Sequence, residues 1–392
     1  MRTVCELNKC TGCMACADIC AKRAINIHIT IESCNAEIND SVCVNCGACN
    51  KVCQINNPVL SQKPVSWHQG WSKNEITRKK CASGGFATEI SRAFIEQSGI
   101  VFTCAFEKGA FKYRAFENEA DLNAMAGSKY VKSDPAGIYK EVRAKLIAGS
   151  KVLFIGLPCH VAGLQNFLSD ELKENLYTVD LICHGSPAPQ LLELFLKEHK
   201  VELNSLSAIR FRQKDHFQVE QSKEKDYKSV GTKGVLDSYM IGFLSGLFYT
   251  ENCYECKYAQ LNRISDITIG DSWGSELPID EQQNGISLAL CQTEKGEQIL
   301  KRANVELHPV DLSLAQQHNH QLLAPSVLPK QRGIFLEGIH ENKSFNSMIW
   351  KTCFVKSIKQ EIKKLLIMLK IYKEGGVKAE YGISVKDNFG EL

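Results

Sequence analysis

Apolar residues along this chain recur at two spacings, one helical and one strand-like. Phe86, Ile90 and Phe94 stand four apart and predict a helix over 86–97. The apolar run 100–106 predicts a buried strand, followed by a polar crossing and a helix near 120–126. A helix over 135–147 is expected to carry Pro135 in its first turn, where the missing N–H costs nothing. Short apolar runs at 152–155 and 177–182 predict strands, each followed by a helix, the second over 189–199. A polar stretch at 213–234 leads to a helix around 239–248. Strands then follow from Asp266, with a glycine-rich exit at Gly270 and Gly274, over 286–292 and over 305–310. Ahead of all this, 24–31 and 36–38 read as short strands. Residues 56–64, with Pro58 and Pro64 and no apolar period, read as a linker. The alternation of strand, loop and helix after residue 100 is that of an α/β layer, whose ligands sit at the carboxyl ends of strands.

Cysteine changes the picture more than any other residue. The spacing C-x2-C-x2-C-x3-C occurs at Cys10, Cys13, Cys16 and Cys20, and again at Cys43, Cys46, Cys49 and Cys53. Three thiolates on a tight loop can hold three corners of a cubane, and the fourth cysteine of such a run serves the other cluster. The expected sets are therefore Cys10, Cys13, Cys16 and Cys53 for one 4Fe-4S cluster, and Cys43, Cys46, Cys49 and Cys20 for the second. Zinc is the alternative, but no histidine lies within either run. The repeat resembles bacterial two-cluster ferredoxins, with Ala21 and Gln54 in place of the usual proline. Eighteen cysteines would suggest disulfides in a short secreted chain. This chain has 392 residues and opens without an apolar leader, so a reducing, cytoplasmic location is expected. No run of 18 apolar residues predicts a membrane span. A net charge of +3 gives no general attraction to nucleic acid.

A further cysteine pair, Cys253 and Cys256, is a weak signal alone. Cys159 and Cys183, at the ends of two predicted strands, could supply two more corners for a third cluster. Ser83-Gly84-Gly85 at a helix start can bring backbone N–H groups close to a ring or phosphate. Lys129, beside Gly127 and Ser128, could pair with a cofactor's anionic group. A plain capping turn and a surface loop are the blander readings of these two motifs.

From about Lys80 to Leu300 the chain resembles the coenzyme F-420 hydrogenase/dehydrogenase beta-subunit family, which also holds 7-hydroxymethyl chlorophyll a reductase. The resemblance rests on Ser83-Gly84-Gly85, Gly127-Ser128-Lys129-Tyr130, Leu157-Pro158-Cys159-His160, Cys183-His184-Gly185, Cys253-x2-Cys256 and the segment 266–274. It implies a third 4Fe-4S cluster on Cys159, Cys183, Cys253 and Cys256. It also implies FAD, with Ser83, Gly84, Gly85, Gly127, Ser128, Lys129, Tyr130 and Asp271 as cofactor-binding residues. The residue after Pro-Cys is often Gln in the family, so His160 is given no catalytic role, and no catalytic residue is assigned.

The expected fold class is an α+β ferredoxin-like N-terminal domain followed by a mixed α/β flavin and iron–sulfur domain. The expected boundaries are 1–57, then 65–150 and 151–340 as two parts of the second domain, and 341–392 as a basic amphipathic tail. In that tail seven lysines between Lys351 and Lys373 accompany an apolar stripe of Phe354, Ile358, Ile362, Leu365, Leu366 and Leu369. Docking on the protein's own core or a partner subunit is expected, with peripheral membrane contact as the alternative. Of the unassigned cysteines, Cys104 and Cys291 are expected in the core, while Cys5, Cys34, Cys81 and Cys353 have no role. His318 and His320 are expected at a solvated helix end. The implied function is an oxidoreductase passing electrons from ferredoxin or a low-potential partner to a flavin and on to an organic substrate. A relay subunit of a larger redox complex, or an F-420-dependent hydride-exchanging subunit, is the alternative. No Gly-x-Gly-x-x-Gly supports a nicotinamide site.

Overall fold

A computed structural model describes residues 2–224 and 226–371. Thirteen strands are β1 (Ile25–Ile29), β2 (Cys34–Ile38), β3 (Ser66–Ser72), β4 (Ile100–Glu107), β5 (Ala110–Phe116), β6 (Val152–Gly156), β7 (Leu176–Leu181), β8 (Ala208–Gln213), β9 (His216–Ser222), β10 (Lys228–Ser229), β11 (Ile267–Asp271), β12 (Ser287–Cys291) and β13 (Val305–His308). Eight of them form one mixed sheet in the order β13-β3-β12-β11-β7-β6-β4-β5. Its middle is parallel, through the β4–β6, β6–β7 and β7–β11 pairs. Both flanks are antiparallel. The middle strands β6 and β7 are almost wholly buried, as a parallel sheet covered on both faces requires. Four neighbouring carboxyl ends therefore open along one line.

At the N-terminus β1 and β2 pair antiparallel, with helices Ala15–Ile19 and Ala48–Val52 beside them. This unit shares a core with the large sheet: Val4, Ile25 and Ala36 belong to the same apolar cluster as Phe102, Tyr139, Phe154 and Phe167. Asp18, between two cysteines of the first run, accepts the Gly137 and Tyr139 N–H groups at 2.8 and 3.2 Å. It thereby caps helix Ile138–Ile147 from another part of the chain.

Several expectations need correction. The helix expected from Pro135 begins at Ile138, after a turn, so Pro135 precedes it. The polar crossing after β4 contains β5, an edge strand in which Phe111, Tyr113 and Phe116 are buried, Tyr113 and Phe116 on opposite faces of the sheet. The helix near 120–126 is a 3-10 turn, Glu119–Ala124. The polar stretch 213–234 contains β9 and β10, which form a three-stranded sheet with β8. β3 was not legible, because His68, Gln69 and Gly70 interrupt its apolar pattern, yet it lies inside the large sheet. The linker is pinned: Gln62 and Arg263 exchange backbone hydrogen bonds at 2.7 and 2.8 Å.

The tail packs as helices Phe345–Thr352 and Phe354–Met368, after Arg332–His340. Phe354, Ile358, Ile362, Leu365 and Leu369 are exposed, so the stripe does not dock on the protein's own core among the described residues. The helix is instead held by polar contacts, Lys356 Nζ to Ser245 Oγ at 3.0 Å and Leu236 N–H to Gln360 Oε1 at 3.1 Å. Residues 372–392, Lys373 among them, lie outside the described residues. His318 and His320 are half-buried rather than solvated, and Gly274 leaves room for the His318 ring. Among the described residues no helix is long and apolar enough to cross a membrane.

Candidate functional site

The line of carboxyl ends sets out the site. β6 ends at Gly156, and Pro158 and Cys159 open the next helix, Pro158–Phe167. β7, its parallel neighbour, ends at Leu181, just before Cys183 and His184. Cys253 closes a 3-10 turn, Glu251–Cys253, and Cys256 follows it. These four cysteines line one cavity of ≈ 310 Å³, together with Lys132, His184, Thr11, Gln54 and Tyr258. Burial pushes the Cys183 thiol up to about 12, with Cys253 and Cys256 adding to it. Cys256 is raised by burial and then by Cys253. Crowded thiols of this kind resist ionising alone, whereas a bound metal centre holds them as thiolates. The donor set and the room suit an iron–sulfur cluster.

Arg263 holds this wall in place. It is 2 % exposed, and its guanidinium donates to Asp180 Oδ1 at 2.9 and 3.2 Å, to the Tyr258 carbonyl at 2.6 Å and to the Leu181 carbonyl at 2.8 Å. Breaking such a buried pair leaves an uncompensated charge, so the loop after Cys256 is tied to the end of β7.

On the far side of the cavity lie the N-terminal cysteines. Cys10, Cys13, Cys16 and Cys53 are all buried. The Cys16 thiol is pushed up by burial and then by Cys13, Cys10 and Cys53, so the crossed set is one neighbourhood. The other set is nearer the surface: Cys20, Cys43 and Cys49 are half-buried and Cys46 is exposed. Cys49 is raised by burial, with Cys20 and Cys43 contributing. Two thiols outside the repeat join the buried set. Cys5 lies against Cys10 and Cys53, and Cys34 against Cys10. Among the described residues, no three His, Cys, Asp or Glu side chains gather tightly enough to hold a single metal ion.

Helix Pro158–Phe167 packs on the N-terminal loop so closely that a Cβ on Gly163 would stand 3.0 Å from Cys13 Sγ. Beside it runs a buried polar chain. Gln54 donates to Thr11 Oγ1 at 3.0 Å and accepts from the Tyr258 hydroxyl. The unusual residue after Cys53 thus joins the first cysteine loop to the loop that follows Cys256.

Three of the residues expected to bind a flavin, Ser83, Tyr130 and Asp271, meet two cations that sequence reasoning missed, Arg212 and Lys214, at the β8–β9 turn. Arg212 donates to both Asp271 carboxylate oxygens at 2.6 and 2.8 Å and approaches the Tyr130 hydroxyl at 3.5 Å. Lys214 donates to the Ser83 carbonyl at 2.8 Å, and burial lowers its pKa to about 8. Tyr130 stacks on Phe243 with ring centroids 4.4 Å apart. Lys129 is turned back onto the Met125 and Ala126 carbonyls, while Ser83 Oγ donates to the Ile286 carbonyl at 2.8 Å. Gly127, at φ +84°, forms the turn before Ser128 and faces open space. Gly84 and Gly85 have structural reasons of their own. A Cβ on Gly84 would fall 2.4 Å from the Gly70 carbonyl oxygen, and Gly85 starts its helix at φ +97°.

His184 links the two halves of the site. It lines the cavity, burial lowers its pKa to about 4, and Asp271, Arg212 and His320 stand near it. His160, by contrast, is buried with Nδ1 2.9 Å from the Tyr113 hydroxyl and does not line the cavity.

Residues 149–311 match the family model described as the C terminus of the coenzyme F-420 hydrogenase/dehydrogenase beta subunit. Over this span the chain is similar to the coenzyme F-420 hydrogenase/dehydrogenase beta-subunit family. The beta-subunit match takes in Cys159, Cys183, Cys253, Cys256, Arg212, Lys214 and Asp271, and it leaves out the N-terminal cysteine runs. A solved structure, the xenon-derivatised F-420-reducing nickel–iron hydrogenase complex from Methanosarcina barkeri, is similar to this chain at 18% identity. The likeness covers 74% of this chain and 97% of that chain, with a TM-score of 0.48. No curated protein matches.

Proposed function

We propose that this chain is an iron–sulfur flavoprotein oxidoreductase. In this reading it takes electrons from ferredoxin or another low-potential partner and delivers them through 4Fe-4S clusters and FAD to an organic substrate. The observation that carries the reading is the single cavity lined by Cys159, Cys183, Cys253 and Cys256, between the Thr11–Gln54 wall of the N-terminal unit and His184 beside Asp271 and Arg212. Bound clusters supply one-electron transfer, and a bound flavin supplies exchange between one-electron and two-electron chemistry. Cys10, Cys13, Cys16 and Cys53 would hold the buried cluster, Cys43, Cys46, Cys49 and Cys20 the one nearer the surface, and the cavity cysteines the third.

The chain's own residues supply the rest. Arg263 and Asp180 hold the third set's loop against β7, and the Thr11–Gln54–Tyr258 chain holds the two buried sets in one rigid frame. Arg212, fixed by Asp271, and Lys214 place positive charge beside Tyr130 and the Ser83–Gly85 turn, where an anionic cofactor group would be stabilised. The family match favours one second reading, a subunit that exchanges hydride with coenzyme F-420 inside a larger redox complex.

Anaerobically purified protein should carry about twelve irons, three cubanes of four, together with flavin. Cys256→Ser should lose about four of those irons. About eight irons in both proteins would remove the third cluster. Stopped-flow mixing with reduced ferredoxin, reduced F-420 and NADH then separates the donors. Ferredoxin should reduce the flavin fastest and NADH poorly; fast reduction by F-420 alone would establish the second reading.

A further inference from the structure

Lys132 is a buried cation between two cysteine sets. It follows Tyr130 by two residues, and its side chain is carried inward to only 5 % exposure. Its own N–H donates to the Pro187 carbonyl at 2.8 Å, which fixes the backbone. The ammonium donates to the Thr11 carbonyl at 3.0 Å, one residue beyond Cys10. A Cβ built on Gly12 would stand 3.5 Å from Lys132 Cδ and 3.9 Å from Nζ, so the side chain lies along the Cys10–Cys13 loop. On its other side Lys132 lines the cavity of Cys159, Cys183, Cys253 and Cys256.

Among the described residues no carboxylate pairs with this ammonium. Burial opposes its charge, and Cys253, Cys34, Cys159 and Cys10 more than reverse that effect. The groups that offset its burial are thus cysteines: Cys253 and Cys159 of the cavity set, Cys10 of the N-terminal set, and Cys34 beside Cys10. A buried unpaired cation is expensive, and these cysteines together with the Thr11 carbonyl offset that cost, so plain packing does not account for a lysine here.

Resting on the cluster reading above, we propose that Lys132 is a shared electrostatic control for two clusters. In this role it raises the reduction potential of both the Cys10-set and the Cys159-set clusters. A cluster that accepts one electron gains one negative charge, and a fixed positive charge in a low-dielectric interior stabilises that reduced state. No proton moves and Lys132 is unchanged. The Cys43-set cluster, whose Cys43 instead faces Arg2 at 3.1 Å, lies outside this influence.

The test is an EPR-monitored redox titration of the anaerobic full chain, with signals assigned through Cys53→Ser, Cys20→Ser and Cys256→Ser. Wild-type iron content, measured first, reports on the cluster reading separately. Lys132→Met and Lys132→Gln should lower both buried potentials. The reduced-to-oxidised ratio at fixed poise should fall about tenfold, about 59 mV for a one-electron couple, with the Cys43-set unmoved. Lys132→Arg should stay near wild type. A shift in one cluster only, in none, or in all three alike overturns the proposal. Should the neutral variants fail to hold the two clusters, retention in Lys132→Arg supports a role for the charge. Loss in all three variants overturns it in favour of packing.

Discussion

Gln54 shows how one side chain can serve two parts of the molecule. It is 1 % exposed, and its amide is used at both ends, toward Thr11 and toward Tyr258. Tyr258→Phe should strand the Gln54 carbonyl oxygen and lower stability by about 1–3 kcal/mol. A thermal unfolding midpoint checks this, and an unchanged midpoint would show that the chain bears no load. Asp237 offers a test by pH. It caps helix Ser238–Leu244 through the Met240 N–H and accepts the Val219 N–H at 2.6 Å. Burial nevertheless raises its pKa from 3.8 to about 6. A raised pKa means that the folded state binds the proton more tightly, so stability is lost as pH rises through about 6. Asp237→Asn, which stays neutral, should gain on the wild type between pH 4 and 6. A difference between the two proteins that does not change with pH would contradict this.

At the level of elements, the turn from Ser83 to Gly85 has two possible reasons for its glycines, and they predict different outcomes. The structure places Gly84 against its own sheet, where a Cβ would meet the Gly70 oxygen at 2.4 Å and the Ser287 nitrogen at 2.7 Å. Both atoms are backbone of β3 and β12, which cannot step aside without loosening the ladder between them. Gly84→Ala should therefore lower the unfolding midpoint of protein stripped of flavin, a loss of about 1–3 kcal/mol. If only the flavin-loaded form is affected, the glycine serves the cofactor. The β8–β9 turn is the other element that matters, since it delivers Arg212 and Lys214 to Asp271 and Ser83. It lies in a stretch whose polar pattern hides its strands, which is why neither cation was picked out from the sequence.

Across the whole molecule, the N-terminal unit is not a bead on a linker. Its Val4, Ile25 and Ala36 share a core with the main sheet, Asp18 caps helix Ile138–Ile147, and the segment before β3 is bonded to Arg263. Removing residues 1–57 should expose apolar surface and give a chain that aggregates or binds a hydrophobic dye. A monodisperse, dye-silent truncation would show two independent domains. The cysteine repeat, the parallel strand rhythm and the residues at strand ends were legible in the sequence, because ligand spacing and apolar runs are local properties of the chain. β5 and β9 escaped it, since each holds just two apolar residues in alternation, Phe111 and Tyr113 or Phe217 and Val219, before the pattern breaks. Cys5, Cys34 and Lys132 could not be read from spacing at all. Their neighbours come from distant segments, as in the bond from Lys132 to Thr11, 121 residues apart. Local pattern thus determined which residue types the chain offers for chemistry. Only packing decided which of them face one another, because burial and electrostatic neighbourhood depend on distance in space rather than along the chain.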